Sequence, residues 1–247
     1  MDLRLIPVGL LAGLLSGLLG VGGGILLIPL LGTVRPLSQH ELHGTSLGVM
    51  IFTATAALIA YAHQGAVPWA LGIPLAIGGV AGAPLGSWLA GRFNPDRLKW
   101  AFAGFLFLVG VRMLFPLPPG VAGSGGPPPH ILAVSIGLVI GVLSGLLGVG
   151  GGVLLVPLLT LGLHVAQHDA QGASLAMVIP TALSGLVGYT RRGQVRWELV
   201  PLLAPAAAVG ALGGSVIAVS LHADRLQQLF GVLVIGMAVQ MAVRKKK

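Results

Sequence analysis

Apolar residues run along the chain in long blocks separated by short polar or Pro/Gly-rich segments. The blocks fall near 5–31, 44–62, 68–91 and 97–115, and again near 133–159, 172–190, 197–221 and 225–243. A helix crosses a bilayer in roughly 20 apolar residues, so each of the last three blocks in either set is long enough to cross once. The first block of each set differs, because glycines interrupt it. It is predicted either to cross as a broken helix or to enter and return as a re-entrant hairpin.

The two sets are copies. Residues 13–31 (GLLSGLLGVGGGILLIPLL) match 141–159 (GVLSGLLGVGGGVLLVPLL) at an offset of 128, with 16 of 19 positions identical. The offset persists without a gap: Gln39-His40 with Gln167-His168, Glu41 with Asp169, Gly44 with Gly172, Ser46 with Ser174, Thr53 with Thr181, Tyr61 with Tyr189, Trp69 with Trp197. The chain therefore reads as a first membrane repeat (1–115), a linker (116–130, PLPPGVAGSGGPPPH) too rich in Pro and Gly to be helical, and a second membrane repeat (131–247).

Positive charge arbitrates between the two readings of the first block. If it is re-entrant, Arg4, Arg35, Arg92, Arg97, Lys99, Arg191, Arg192, Arg196, Arg244, Lys245, Lys246 and Lys247 share one side, and only Arg112 and Arg225 face the other. If it crosses, the split is nine against five. The positive-inside tendency favours the first arrangement. The fold expected is an all-α polytopic membrane protein of two inverted repeats, each a Gly-broken or re-entrant helical element plus three transmembrane helices. Both termini are then cytoplasmic, and Met1-Asp2-Leu3-Arg4 belongs to the mature chain. Inverted repeats around a central site are the usual architecture of secondary transporters.

Composition narrows the class further. Of 247 residues 55% are hydrophobic and 8% charged, and the mean hydropathy is +0.96. No soluble domain covers that much apolar surface with so few charges. The net charge of +8 lies in short loops and the tail, not in a patch on a soluble face, so nucleic acid is not an expected partner. Cysteine is absent, which excludes disulfides, thiolate metal sites and a cysteine nucleophile. The seven histidines lack HExxH-type spacing, so neither a metal nor a cofactor is expected, and an enzyme reading has no nucleophile–base pair behind it.

Candidate chemistry centres on Gly20, Gly22, Gly23 and Gly24 and their copies Gly148, Gly150, Gly151 and Gly152. Each glycine costs a helix up to about 1 kcal/mol relative to Ala, so the helix is expected to break there. Irregular backbone at membrane depth survives only where protein or a wet cavity satisfies the freed amides. The breaks thus read as substrate-lining half-helix N-termini suited to an anion, or as packing or hinge elements. A nucleotide loop is excluded, because GxxxxGK[ST] is missing and no strand precedes the glycines. Gly9, Gly13, Gly17, Gly137, Gly141 and Gly145 form small-xxx-small ladders that read as helix-packing surfaces.

Hydroxyls flank the breaks. Ser16 and Ser144 precede them by a turn, and Thr45, Ser46, Ser174, Thr53 and Thr181 lie in the second blocks. Each either contacts an oxyanion or bonds back to its own helix. His40 and His168 are weaker candidates for a gate or coupling group, beside helix-start polarity from Glu41 and Asp169. The crossing interiors hold no Asp, Glu or Lys, so a buried carboxylate relay is missing. Tyr61, Tyr189, Trp69, Trp88, Trp100 and Trp197 read as interfacial anchors.

The paired GLLSGLLGVGGGxLLxPLL segments, each followed by QHxxxGxSL and then by a Tyr/Gly/Trp run (YAHQGAVPW; YTRRGQVRW), resemble the TauE/SafE family over nearly the whole chain. The resemblance implies a multi-pass inner-membrane permease that moves small sulfur-containing anions such as sulfite or organosulfonates, often outward. Its partners would be the small anion and the bilayer, with a homo-oligomer allowed. The copies diverge at Thr45/Ala173 and His43/Gln171, so contacts there are asymmetric. A channel-like or carrier permease for another small solute, and a non-transporting membrane module, are the other readings.

Overall fold

The computed structural model describes residues 5–90, 95–115, 128–147 and 150–243. Gly148, most of the Pro/Gly-rich linker, and the basic residues Arg4, Arg92 and 244–247 lie outside the described residues. Every regular element among those described is helical: α1 Leu5–Leu19, α2 Gly24–Val34, α3 Gln39–His63, α4 Trp69–Ala90, α5 Pro95–Met113, α6 His130–Leu147, α7 Gly152–Pro157, α8 Gln167–Arg191, α9 Val200–Ser220 and α10 Ala223–Val243. A π-helical turn, Leu158–Gly162, prolongs α7. The duplication carries into the architecture, and α3 and α8 begin and end at positions 128 apart. Helices α3, α4, α8, α9 and α10 are long and apolar enough to cross a membrane.

Small residues decide how these helices meet. Along α1, Gly9, Gly13 and Gly17 face Leu203, Ala207 and Ala211 of α9 in ascending order, so the two helices run the same way. Along α6, Gly137, Gly141 and Gly145 face Leu75, Gly79 and Ala83 of α4 with the same sense. A methyl group at Gly13 would overlap the carbonyl oxygen of Ala207, and one at Gly137 that of Leu75. Backbones this close exchange dispersion contacts along their full length, which is the attraction left to helices once lipid removes the hydrophobic drive. The ladders are packing surfaces, as their spacing suggests. Their partners, however, belong to the opposite copy: the first helix of each repeat lies on the fourth helix of the other.

At the centre, α3 packs on α8. Leu47 meets Gly185, Gly44 meets Tyr189, and Tyr61 reaches Gln171, so α3 and α8 run in opposite directions. Helix α4 runs with α8, since Gly72 meets Ala173 and Ala176 while Gly79 meets Met177 and Thr181. Outside them, α5 and α10 pair in opposite directions through Gly110 with Ile235 and Met113 with Gln227. Two equivalent pairs, α3 with α8 and α5 with α10, thus point opposite ways. Large apolar side chains such as Ile73, Ile77, Phe107, Val216 and Val232 stay exposed on the outer face, as lipid contact allows.

The aromatic residues split. Trp69, Trp88, Trp100 and Trp197 are exposed near helix ends, in keeping with interfacial anchors. Tyr61 is not one of them. It is 0% exposed and its hydroxyl donates to the Gln171 side-chain oxygen, because the paired ends of α3 and α8 enclose it.

The close helix crossings give a test of opposite signs. Gly13→Ala forces α1 off α9 and is expected to lower stability in detergent by about 1–3 kcal/mol. Gly104→Ala, whose added methyl meets nothing within 4 Å, is expected to raise it by up to about 1 kcal/mol through helix propensity. Thermal unfolding of the two variants beside the parent checks both.

Candidate functional site

After α1 the chain turns on glycines held in the left-handed region: Gly20 at φ 66°, Gly22 at 78° and Gly23 at 89°. The second copy repeats this with Gly150 at 84° and Gly151 at 75°. Side chains with a Cβ are strained at such angles, which explains the glycine run at both places. The turn sends α2 back along α1. Gly23 lies beside Ser16, Leu27 shares a void with Ala12, and Leu31 joins Leu5 in one apolar cluster. Gly23 and Gly151 occupy the N-cap positions of α2 and α7, and neither helix start has a side-chain cap.

The two turns meet. A Cβ at Gly152 would stand 2.8 Å from Val21 Cα, at the tip of the first turn, and 2.8 Å from Ser174 Oγ. Met50 touches both Gly22 and Gly150, and Val178 abuts Gly22. The turns are therefore walled by the middles of α3 and α8, the antiparallel central pair. Gly20 packs on Gln171, whose amide also reaches the Leu18 carbonyl at 3.4 Å.

The hydroxyls sort by partner. Ser16 and Ser174 are fully buried and, among the described residues, their Oγ atoms have no hydrogen-bond partner. Ser16 lies beside Gly23 and Ser174 beside Gly152, one hydroxyl against each turn. Ser144 is buried next to Gly151. Ser46, the sequence equivalent of Ser174, bonds back to the His43 carbonyl at 2.9 Å, the helix-internal alternative open to it. The Thr53 hydroxyl donates to the Gly22 carbonyl at 2.7 Å and so ties α3 to the first turn. Thr181, its equivalent, donates to Met177 within its own helix at 2.8 Å. Thr45 accepts from the Arg196 backbone N–H at 3.0 Å, an option closed to Ala173.

The polar helix starts lie at opposite ends of the central pair. Ser38 and Glu41 form a reciprocal capping box at the start of α3. Glu41 also pairs with Arg196 across the copies. The corresponding places hold Ala166 and Ala173 in the second copy and Pro68 in the first, and none of these contacts is repeated there among the described residues. His40 is exposed on the first turn of α3, while His168 lies 3.2 Å from the Ala218 carbonyl, so the fold does not bring the two histidines together. Met50 and the Tyr61–Gln171 bond were not legible as candidates. Gln171 in place of His43 was the one available signal for the second.

Two glycine turns that meet, close glycine packing and a lipid-compatible outer face define a polytopic helical membrane protein built on a duplicated unit. A family model described as sulfite exporter TauE/SafE matches residues 5–241, and the chain belongs to that family of membrane transporters. Among its relatives are the probable membrane transporter protein YunE of Bacillus subtilis (28% identical, covering 96% of each chain) and a probable membrane transporter protein of Xylella fastidiosa strain Temecula1 (32% identical, 94% of this chain and 91% of the relative). The probable membrane transporter protein MJ0441 of Methanocaldococcus jannaschii is 28% identical over 75% of this chain and 71% of its own. No solved structure matches the chain significantly.

The unequal threonines are separable by substitution. Thr53→Val strips the Gly22 carbonyl of its cross-helix donor and is expected to cost about 1–3 kcal/mol. Thr181→Val removes only a bond within its helix and is expected to cost under about 1 kcal/mol. Denaturation of the two purified variants in the same detergent compares them.

Proposed function

We propose that the protein is a secondary transporter that exports small sulfur-containing anions, such as sulfite or organosulfonates, by alternating access around the two glycine turns. The observation that carries this reading is the pair of buried hydroxyls of Ser16 and Ser174, one against each turn, which have no hydrogen-bond partner among the described residues. A buried hydroxyl without a partner costs roughly 1–3 kcal/mol, a penalty that a bound oxyanion removes by accepting its hydrogen bond. Gly20, Gly22, Gly23 and Gly24, with Gly150, Gly151 and Gly152, complete the site by bringing backbone N–H groups close to the anion; Gly148, the remaining expected member, lies outside the described residues. Ser144 stands behind Gly151, and Ser46 is the weaker member, bonded to the His43 carbonyl. The family description supplies the sulfur anion and the outward direction.

In the bilayer the hairpins α1–α2 and α6–α7 enter and return from opposite faces. The opposed directions of α3 and α8, and of α5 and α10, support this inverted arrangement. It places Arg35, Arg191, Arg192, Arg196 and both termini on one side, the cytoplasmic one by the positive-inside tendency. Two hairpin tips meeting between inverted halves is the geometry in which rocking of one half exposes a fixed site to either side.

Counterflow in proteoliposomes tests the reading. Vesicles preloaded with sulfite or a short alkylsulfonate should take up the same labelled anion saturably. Ser16→Ala and Ser174→Ala should lower that exchange by roughly tenfold to a hundredfold without lowering thermal stability, since neither hydroxyl is bonded among the described residues. Gly23→Val and Gly151→Val should abolish it. Undiminished exchange in both serine variants would remove the site, and flow without trans-stimulation would indicate a channel.

A further inference from the structure

The space between the two turns is closed by side chains that the serine site does not use. Met50 is fully buried at the middle of α3. Its Cε and Sδ lie 2.6 and 2.7 Å from where a Cβ at Gly150 would stand, and its Cγ and Sδ lie 3.2 and 3.3 Å from the Cβ position at Gly22. One thioether therefore rests on both turns, and only because both positions are glycine. Val178, at the equivalent position of the other copy, abuts Gly22 from α8. The duplication has thus placed two apolar side chains of unlike mobility at its centre. Valine is branched at Cβ and stiff about χ1, whereas methionine is unbranched and refills irregular space easily.

Beside Met50, the residues Ala12, Gly23, Leu27, Val49, Thr53 and Ala207 border a packing gap too small to admit water. The gap faces α1 and α2 together with α3 and α9, and the unbranched thioether, unlike the stiff Val178, can re-pack along it.

We propose that Met50 is the specificity-determining plug of the anion site: its side chain fills the room between the glycine turns that an alkyl substituent on the anion would take. The inference rests on the anion reading above and deepens it. A bare oxyanion such as sulfite binds at the Ser16 and Ser174 hydroxyls with the thioether in place. An anion that carries an alkyl chain must displace the Met50 end group, and Val178 forms the fixed wall opposite. Methylene-sized differences in an apolar pocket discriminate by roughly 10- to 200-fold.

The test compares exchange of labelled 1-propanesulfonate with that of labelled sulfite in proteoliposomes of the full chain. Met50→Ala removes Cγ, Sδ and Cε, and should raise the propanesulfonate-to-sulfite ratio roughly tenfold or more. Met50→Val, which installs the other copy's side chain, should raise it by less, and Met50→Leu, which conserves volume, should leave it unchanged. If Met50→Ala fails to fold, Met50→Val decides alone. A folded Met50→Ala or Met50→Val that exchanges sulfite normally and keeps the parent ratio overturns the plug while the anion site stands. Absence of saturable exchange of either anion by the parent protein overturns the anion reading, and the plug with it.

Discussion

Backbone amides inside a bilayer have no water to bond to, and the whole arrangement follows from how this chain breaks two helices there without leaving those groups stranded. Each break is a short run of glycines, several at positive φ, and the first is compact enough for the returning α2 to lie against α1. The first turn is tied down by Thr53 at the Gly22 carbonyl and by the contact of Gly20 with Gln171. The two tips then cover one another, with Val21 against Gly152. On the reading proposed above, each hairpin returns to the level at which it began, and this reversal sets the direction of every later helix.

Interleaving of the copies follows from the same constraint. A hairpin arm within a membrane needs a neighbour along its full length, and the glycine faces of α1 and α6 find one in α9 and α4 of the opposite copy. Neither copy would bury its hairpin alone. Identity of sequence does not, however, give identity of contact. Thr53 crosses to a turn and Thr181 does not. Ser46 is satisfied and Ser174 is not. Glu41 and Arg196 join the copies where α3 begins, while Tyr61 and Gln171 join them where it ends. The two faces of the central pair are therefore held by different chemistry, an ion pair on one and a neutral hydrogen bond on the other.

Much of this was legible before any coordinates. The duplication, the helical blocks and the glycine breaks are visible at an offset of 128, and α3 and α8 start on the Gln-His pairs that mark it. The small-xxx-small ladders announced close packing, yet a ladder shows that a backbone is near without showing whose. Tyr61 reads as an anchor because aromatic residues gather at helix ends, whereas its partner lies 110 residues away. Which serine keeps a free hydroxyl was not legible either. Ser46 and Ser174 sit in the same motif, and only the rotamer and the neighbouring turn separate them. Met50 looks like any core residue until the two turns it separates are placed around it.

The most direct measurement is the sidedness of equivalent positions. The chain has no native cysteine, so a single introduced thiol reports without background. Gln64 and Arg192 are exposed, lie just beyond the ends of α3 and α8, and correspond at the offset of 128. With inverted hairpins, a membrane-impermeant maleimide should label Gln64→Cys in intact cells and Arg192→Cys only after permeabilisation. Labelling of both from the same side would mean that the first elements cross, that the copies are parallel, and that the hairpin account is wrong.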